Sequence, residues 1–261
     1  MSEPVRLHSG SRNVDIWIPE DDFTGSRPLL VMHDGQNVFR DEDAGFGHSW
    51  RVREAVESLR GLGKPLPVVV GAWNSGFTRA AEYAPQDVLE SHPAEPYGFL
   101  GDQQQAPLLG NNYQAELIEK VIPLAKEVAD ISSDRAHVAV GGSSMGGLAS
   151  LYALTQFPET YGTALCVSTH WSMSTSRSWR SFIEQLPSPS EGHRIWFDHG
   201  TEFIDTEYGA KQAEINVELS RRGWAWPKVE SRTYVGTAHN EQVWEVRLPV
   251  ILKWWLEGLE F

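Results

Sequence analysis

Residues 138–147 read Val-Ala-Val-Gly-Gly-Ser-Ser-Met-Gly-Gly, and the fold is decided here. A short apolar run ends in glycine, Gly142-Ser143-Ser144-Met145-Gly146 fits the pattern G-x-S-x-G, and a helical pattern follows from Met145 to Gln156. That pattern carries chemistry only between a strand and a helix, because its serine must sit on a strained turn with small neighbours so that Oγ projects over the sheet. Both flanks are present, so Ser144 is the candidate nucleophile. At a helix N-terminus it also meets partial positive charge and free N–H groups, and the Met145 amide is placed to hold the oxyanion of a tetrahedral intermediate.

Outward from this turn, β-branched apolar runs alternate with longer stretches of helical period, the signature of a mainly parallel sheet with helices on both faces. Strands are predicted over 13–18, 29–33, 67–73, 137–142, 163–168, 194–198 and 229–235, and helices over 50–59, 112–128, 145–156, 207–222 and 241–256. The expected class is α/β, an α/β-hydrolase fold formed by one domain over residues 1–261. Two stretches break the alternation, near 73–110 and 170–192, and read as lid-like insertions. No internal repeat or low-complexity tract interrupts the chain.

A serine hydroxyl is a weak nucleophile until a base takes its proton. Of the nine histidines, His239 lies in a loop after the last strand and before the last helix, which is where the fold's chain order of Ser, acid, His puts the base. His137 starts the strand on the far side and reads as structural; His170 and His199 lie at strand ends on the active-site side. The acid belongs after the strand 194–198, where Asp198-His199-Gly200-Thr201-Glu202-Phe203-Ile204-Asp205 offers three carboxylates. Asp198 reads as still within the strand. Glu202 is favoured because it follows the Gly200 turn, and Asp205 comes second because a short carboxylate there suits a helix N-cap.

His33-Asp34-Gly35-Gln36-Asn37-Val38-Phe39, Val69-Val70-Gly71 with Arg79, Glu82-Tyr83 and Pro85, the glycine-flanked elbow, and His239-Asn240-Glu241 before Trp244 and Leu248-Pro249 together resemble the putative-esterase family of α/β-hydrolases. That family includes esterase D, enterochelin esterases, and feruloyl and acetyl xylan esterases. The resemblance runs from about Val14 to Leu256 and implies a Ser-His-acid ester hydrolase with no cofactor. It also implies that the loop at Asp34 to Gln36, through the Gly35 and Gln36 amides, completes the oxyanion hole. Where several members carry the acid, three residues after the loop glycine, this chain has Phe203.

Trp73, Arg79, Tyr83 and Trp171 are expected at the mouth of the site, where aromatic faces suit a sugar or phenolic ring. An inward Arg79 would suit an anionic, siderophore-like ester, and an Arg79–Glu82 surface ion pair is the bland alternative. Two further readings stay open: an amide or thioester hydrolase with the same triad, and a non-catalytic scaffold.

The formal charge of −13 and pI near 5.1 repel nucleic-acid phosphates and anionic lipid, so the expected partner is a small-molecule ester, with no nucleic acid and no membrane. A lone cysteine, Cys166, excludes an internal disulfide and a thiolate metal centre. The histidines lack H-x-x-x-H or H-E-x-x-H spacing, so no metal is expected. No apolar run has signal or membrane-span length, and a cytoplasmic protein is the expectation. Nothing in the pattern fixes an oligomeric state.

Overall fold

The computed structural model describes residues 2–10, 12–92 and 107–261. Eight strands form one sheet: β1 (Val5–Ser9), β2 (Arg12–Trp17), β3 (Leu29–His33), β4 (Val68–Ala72), β5 (Val138–Ser143), β6 (Thr163–Val167), β7 (Arg194–His199) and β8 (Val229–Thr233). Their order is β1-β2-β4-β3-β5-β6-β7-β8. The β1–β2 and β2–β4 pairs are antiparallel, and all later pairs are parallel. This is the α/β-hydrolase fold expected from the elbow. The strand not foreseen is β1: it lies at the sheet edge with Val5 and Arg6 exposed, so it carries no apolar run to announce it.

The helices are α1 (Val52–Glu57), α2 (Arg79–Glu82), α3 (Gln86–Glu90), α4 (Gly110–Glu116), α5 (Ile122–Val128), α6 (Met145–Gln156), α7 (Ser176–Glu184), α8 (Tyr208–Arg221) and α9 (Glu241–Glu257). A π turn over Leu117–Val121 joins α4 to α5, so the single helix expected over 112–128 is interrupted in register but not in direction. Among the described residues no helix is long and apolar enough to cross a membrane.

Alternation along the strands gives the sheet two cores. Leu29, Val31, Val138, Val140, Ala164, Cys166, Ile195 and Phe197 face one apolar cluster, and Leu30, Met32, Ala139, Leu165, Val167 and Trp196 face the other. With both faces covered, the central strands need continuous apolar runs. The C-terminal ends of β3, β5, β6, β7 and β8 then share one edge, and the loops leaving them carry Asp34, Ser144, Ser168, Asp205 and His239.

The segment 170–192 is anchored in the body of the domain. It forms a 3-10 turn, α7 and a second turn, and Trp171, Trp179 and Phe182 are buried in the first cluster. In the other segment, α3 and the turn between α2 and α3 bury Tyr83, Ala84, Val88 and Leu89 in that same cluster. Residues 93–106 of this insertion, Tyr97 and Phe99 among them, lie outside the described residues.

Candidate active site

Ser144 has φ 58° and ψ −121°, a conformation that L residues avoid and that costs on the order of 1–3 kcal/mol unless the surroundings enforce it. Here they do. The Ser144 amide donates to the Val167 carbonyl at 2.9 Å, and the Ser144 carbonyl accepts from the Gly147 amide at 3.0 Å and the His170 amide at 3.1 Å. The strained turn is thereby tied to β6 and to the loop after it. As the first residue of α6, Met145 has an amide with no intrahelical acceptor.

Opposite the elbow, Asp34 adopts φ 55° and opens a 3-10 turn over Gly35–Asn37. A Cβ on Gly35 would come within 2.3 Å of the Gly71 carbonyl oxygen, so only glycine lets this loop lie against β4. The Asp34 amide is already used, donating to the Tyr83 hydroxyl at 2.8 Å. The Gly35 and Gln36 amides, at the start of their turn, have no intrahelical acceptor.

His239 follows β8, and its Nδ1 lies 2.6 Å from Asp205 Oδ1. Asp205 is fully buried, and its Oδ2 accepts from the Gly200 amide at 2.6 Å and the Ser168 hydroxyl at 3.0 Å. Burial alone would raise this carboxyl. The His239 ring and those two donors outweigh it and hold the acid below the usual range. The two loops can meet because residue 200 is glycine: a Cβ there would stand 2.1 Å from the Thr237 carbonyl oxygen. That carbonyl also accepts the Thr201 and Glu202 amides, each at 3.1 Å.

Thus the carboxylate that reaches the imidazole is Asp205, the second candidate, and not Glu202. Phe203 takes φ 53° and starts a 3-10 turn over Phe203–Glu207, which turns Asp205 inward and leaves Glu202 in solvent. Nor does Asp205 cap a helix, since α8 begins after Glu207 with no side-chain cap. Asp198 stays in β7 as read, fully buried against Arg247 at 3.0 Å.

A cavity of about 510 Å³ opens over these groups, with Ser144, His239, Gln36, Asn74, Phe46 and Trp244 among its lining residues. Trp244 meets the His239 ring edge-on, centroids 4.9 Å apart. Of the four side chains expected at the mouth, only Arg79 lines the cavity. Its guanidinium forms two bonds of 2.7 Å to Asp34 and lies over the Tyr83 ring, so neither the Arg79–Glu82 pair nor an unpaired inward arginine is found. Burial would raise the Asp34 carboxyl, but Arg79 overrides it and holds the acid ionised. Glu82 instead faces Arg12 at 3.2 Å.

Trp73 turns the other way, its Nε1 donating to Asp15 at 3.0 Å beneath the Arg6 guanidinium. Tyr83 and Trp171 are buried; Trp171 donates to Gln212 at 2.9 Å and packs on Trp179. Position at a strand end showed which side of the sheet they leave from, but not which way the side chain turns.

The remaining histidines divide as their surroundings dictate. His137 bonds the Glu260 carbonyl at 2.7 Å and stacks on Phe261, and His199 sits between the Gly200 carbonyl and Thr233. His170 Nδ1 lies 2.5 Å from the Tyr208 hydroxyl, a phenol that burial pushes up and the nearby Ser144 side chain pulls down. Tyr208 therefore stands near Ser144, with its ring edge-on to His239 at 5.6 Å. No motif in the sequence singled it out.

Burial depresses three imidazoles, His193 among them, and the two largest shifts take His33 to about 3 and, with help from His239 and Arg79, His170 to about 4. Both are neutral in the folded state at pH 5, whereas in the unfolded chain they take up protons below about 6.5. Stability is therefore expected to be flat from pH 8 to 7 and to fall as pH drops from about 6.5 toward 4, by up to about 1.4 kcal/mol per pH unit for each histidine. Thermal unfolding at pH 8, 7, 6 and 5 checks this; an unchanged Tm at pH 5 contradicts it.

Residues 7–255 match the family described as "Putative esterase". The chain belongs to that esterase family. The YbbA protein of Bacillus subtilis (strain 168) is 22% identical over 167 residues, covering 62% of this chain and 59% of YbbA. The enterobactin esterase FES from Shigella flexneri, solved in the presence of 2,3-dihydroxy-N-benzoyl-serine, aligns with a TM-score of 0.65 and 22% identity, over 97% of this chain and 58% of FES. A ferulic acid esterase aligns with a TM-score of 0.67 and 14% identity, over 98% of this chain and 97% of its own. This esterase-family chain thus spans less than two thirds of YbbA and FES and nearly all of the ferulic acid esterase. At such identities the structural likeness carries the fold, and the chemistry rests on the residues.

Proposed function

We propose that this esterase-family protein is a serine carboxylic ester hydrolase acting through Ser144, His239 and Asp205 by way of an acyl-enzyme. The observation that carries the reading is the 2.6 Å contact between His239 and a buried, ionised Asp205, at a cavity that the strained Ser144 also lines.

In this reading His239 Nε2 takes the Ser144 proton as Oγ attacks the ester carbonyl. Nδ1–H stays on the imidazole and donates to Asp205, which fixes the tautomer and stabilises the imidazolium. The Met145 amide and a Gly35 or Gln36 amide hold the oxyanion; one such donor is worth about 3 kcal/mol in the transition state. The imidazolium then protonates the departing alcohol. Water, activated by the same histidine, releases the acid from Ser144 and restores the enzyme. No step uses a cofactor or a metal.

The proposed substrate is an uncharged ester with an aromatic or sugar group. Among the described residues lining the cavity, Arg79 is the only arginine or lysine, and Asp34 neutralises it through two bonds of 2.7 Å. Glu241, also on the wall, adds no positive charge, and His48 faces Glu245 at 2.6 Å. An anionic siderophore-like ester would therefore find no free cation among these residues. Phe46, 84% exposed, and Trp244 offer apolar faces, while Gln36, Asn37, Asn74, Asn240 and Gln242 offer amides for hydroxyls. A cytoplasmic setting is proposed with it, since Cys166 is a free, buried thiol.

A panel of feruloyl, acetyl-sugar and hemisuccinyl esters, with a matching amide and thioester, all in EDTA, tests this reading. Neutral esters are expected to exceed the hemisuccinate in kcat/KM by about tenfold or more, a difference of about 1.4 kcal/mol in barrier. Equal turnover of the anionic ester overturns the substrate class. Faster turnover of the amide or thioester moves the reaction class, and no hydrolysis of any member, or loss in EDTA with recovery in zinc, overturns the mechanism.

A further inference from the structure

Behind Asp205 lies a second polar layer that the proposed mechanism does not use. Ser168, at the end of β6, is completely buried at φ 40°. Its hydroxyl has one proton and two lone pairs, and all three are engaged: it donates to Asp205 Oδ2 at 3.0 Å and accepts from Trp244 Nε1 at 3.1 Å and Arg247 Nη1 at 3.2 Å. The same Nη1 donates to Asp198 Oδ1 at 3.0 Å, and Trp196 Nε1 donates to Asp198 Oδ2 at 2.8 Å. The Ser168 amide points to Asp198 as well, at 3.3 Å, and Arg247 Nη2 bonds Thr237 in the His239 loop.

A buried ion pair of this kind is a poor source of stability, since desolvating two charges about cancels their attraction. It does fix geometry: apart from Arg247 Nε, which has no hydrogen-bond partner, its members are bonded to one another, and a change at one is felt by the next. The hydroxyl is oriented by the two N–H donors, so its proton has one place to go, the Asp205 carboxylate. Asp205 Oδ2 is then held by two donors, Ser168 and Gly200, leaving Oδ1 for the imidazole.

We propose that Ser168 is a positioning residue for the triad, coupling the buried Arg247–Asp198 pair to Asp205 and so setting both the orientation and the basicity of His239. The proposal rests on the Ser144–His239–Asp205 reading. The sign follows from charge. Removing a donor leaves more negative charge on Asp205, which favours the imidazolium and moves the acid limb of kcat/KM to higher pH.

Ser168→Gly is the variant of choice, because at φ 40° glycine relaxes the backbone while deleting the hydroxyl, and Ser168→Ala serves as its pair. The titratable groups that face His239 are Asp205, Tyr208, Glu241 and, through Tyr208, His170, while the Trp244 ring packs against it. Both variants should lose about tenfold in kcat with KM within twofold, and move the acid limb up by about half a pH unit. The downfield proton resonance of the His239–Asp205 bond should shift in both. This spectrum is read without substrate, so it decides the coupling even where the ester assay fails and the hydrolase reading falls with it. An unmoved resonance in a folded Ser168→Gly protein overturns the proposal, as does an unchanged pH limb. Full activity in Ser168→Gly with loss confined to Ser168→Ala would show a purely structural role and overturn it as well.

Discussion

Ser144→Ala is expected to lower kcat for ester hydrolysis by at least about a thousandfold while leaving the fold and Tm close to those of the parent. In the proposed mechanism the Oγ is the atom that becomes acylated, and the neighbouring Ser143 does not replace it, because its side chain leaves a strand residue, before the turn at Ser144. The His239 base would have no hydroxyl to activate, and any residual rate would come from the oxyanion donors and binding alone. Alanine fits the turn sterically as well as serine does, because the bonds that enforce φ 58° are made by the Ser144 backbone amide and carbonyl. Steady-state kinetics with circular dichroism separates chemistry from folding. Turnover near that of the parent in a folded Ser144→Ala protein would remove the serine from the mechanism.

Asp205→Asn should be nearly as damaging, at least about a hundredfold in kcat with KM little changed, whereas Glu202→Gln should behave as the parent. The amide could present its NH2 to Nδ1 and favour the wrong tautomer, the effect that makes the equivalent change so costly in serine proteases. Its stability effect is also separable. Asp205 accepts from Gly200 and Ser168 on Oδ2, and an asparagine oxygen in that position keeps both bonds. Glu202 lies in solvent and makes no hydrogen bond to His239, so its charge is screened. A large loss in Glu202→Gln with an active Asp205→Asn would reverse these roles; full activity in both would leave a Ser-His pair.

What was legible in the sequence was what the backbone dictates. G-x-S-x-G between a strand and a helix can place Ser144 in only one way, and the position of His239 after the last strand and before the last helix follows from topology. The acid was not legible to the same degree. Choosing between residues 202 and 205 depends on the left-handed turn at Phe203, and a phenylalanine gives no signal for positive φ. For the aromatic residues the obstacle was side-chain direction. Trp73 is captured by Asp15 and Arg6, partners from β1 and β2 that are distant in sequence, and Trp171 by Gln212 on α8. Arg79 was placed on the right side of the sheet, yet its pairing with Asp34 across 45 residues could not be read from spacing. Ser168 and Tyr208 carried no motif, and their places beside Asp205 and His239 are visible only in the structure.

The central claim, that Ser144 is acylated and that His239 and Asp205 drive both halves of the reaction, is tested most directly by trapping the covalent intermediate. The protein would be mixed with a feruloyl ester, quenched in acid within the first turnovers and digested for peptide mass spectrometry. The account predicts one feruloyl adduct, on Ser144, formed and discharged by the parent, absent from Ser144→Ala and far slower to form in Asp205→Asn. An adduct on any other residue, or rapid ester hydrolysis with no adduct under conditions where deacylation is slowed, would contradict it.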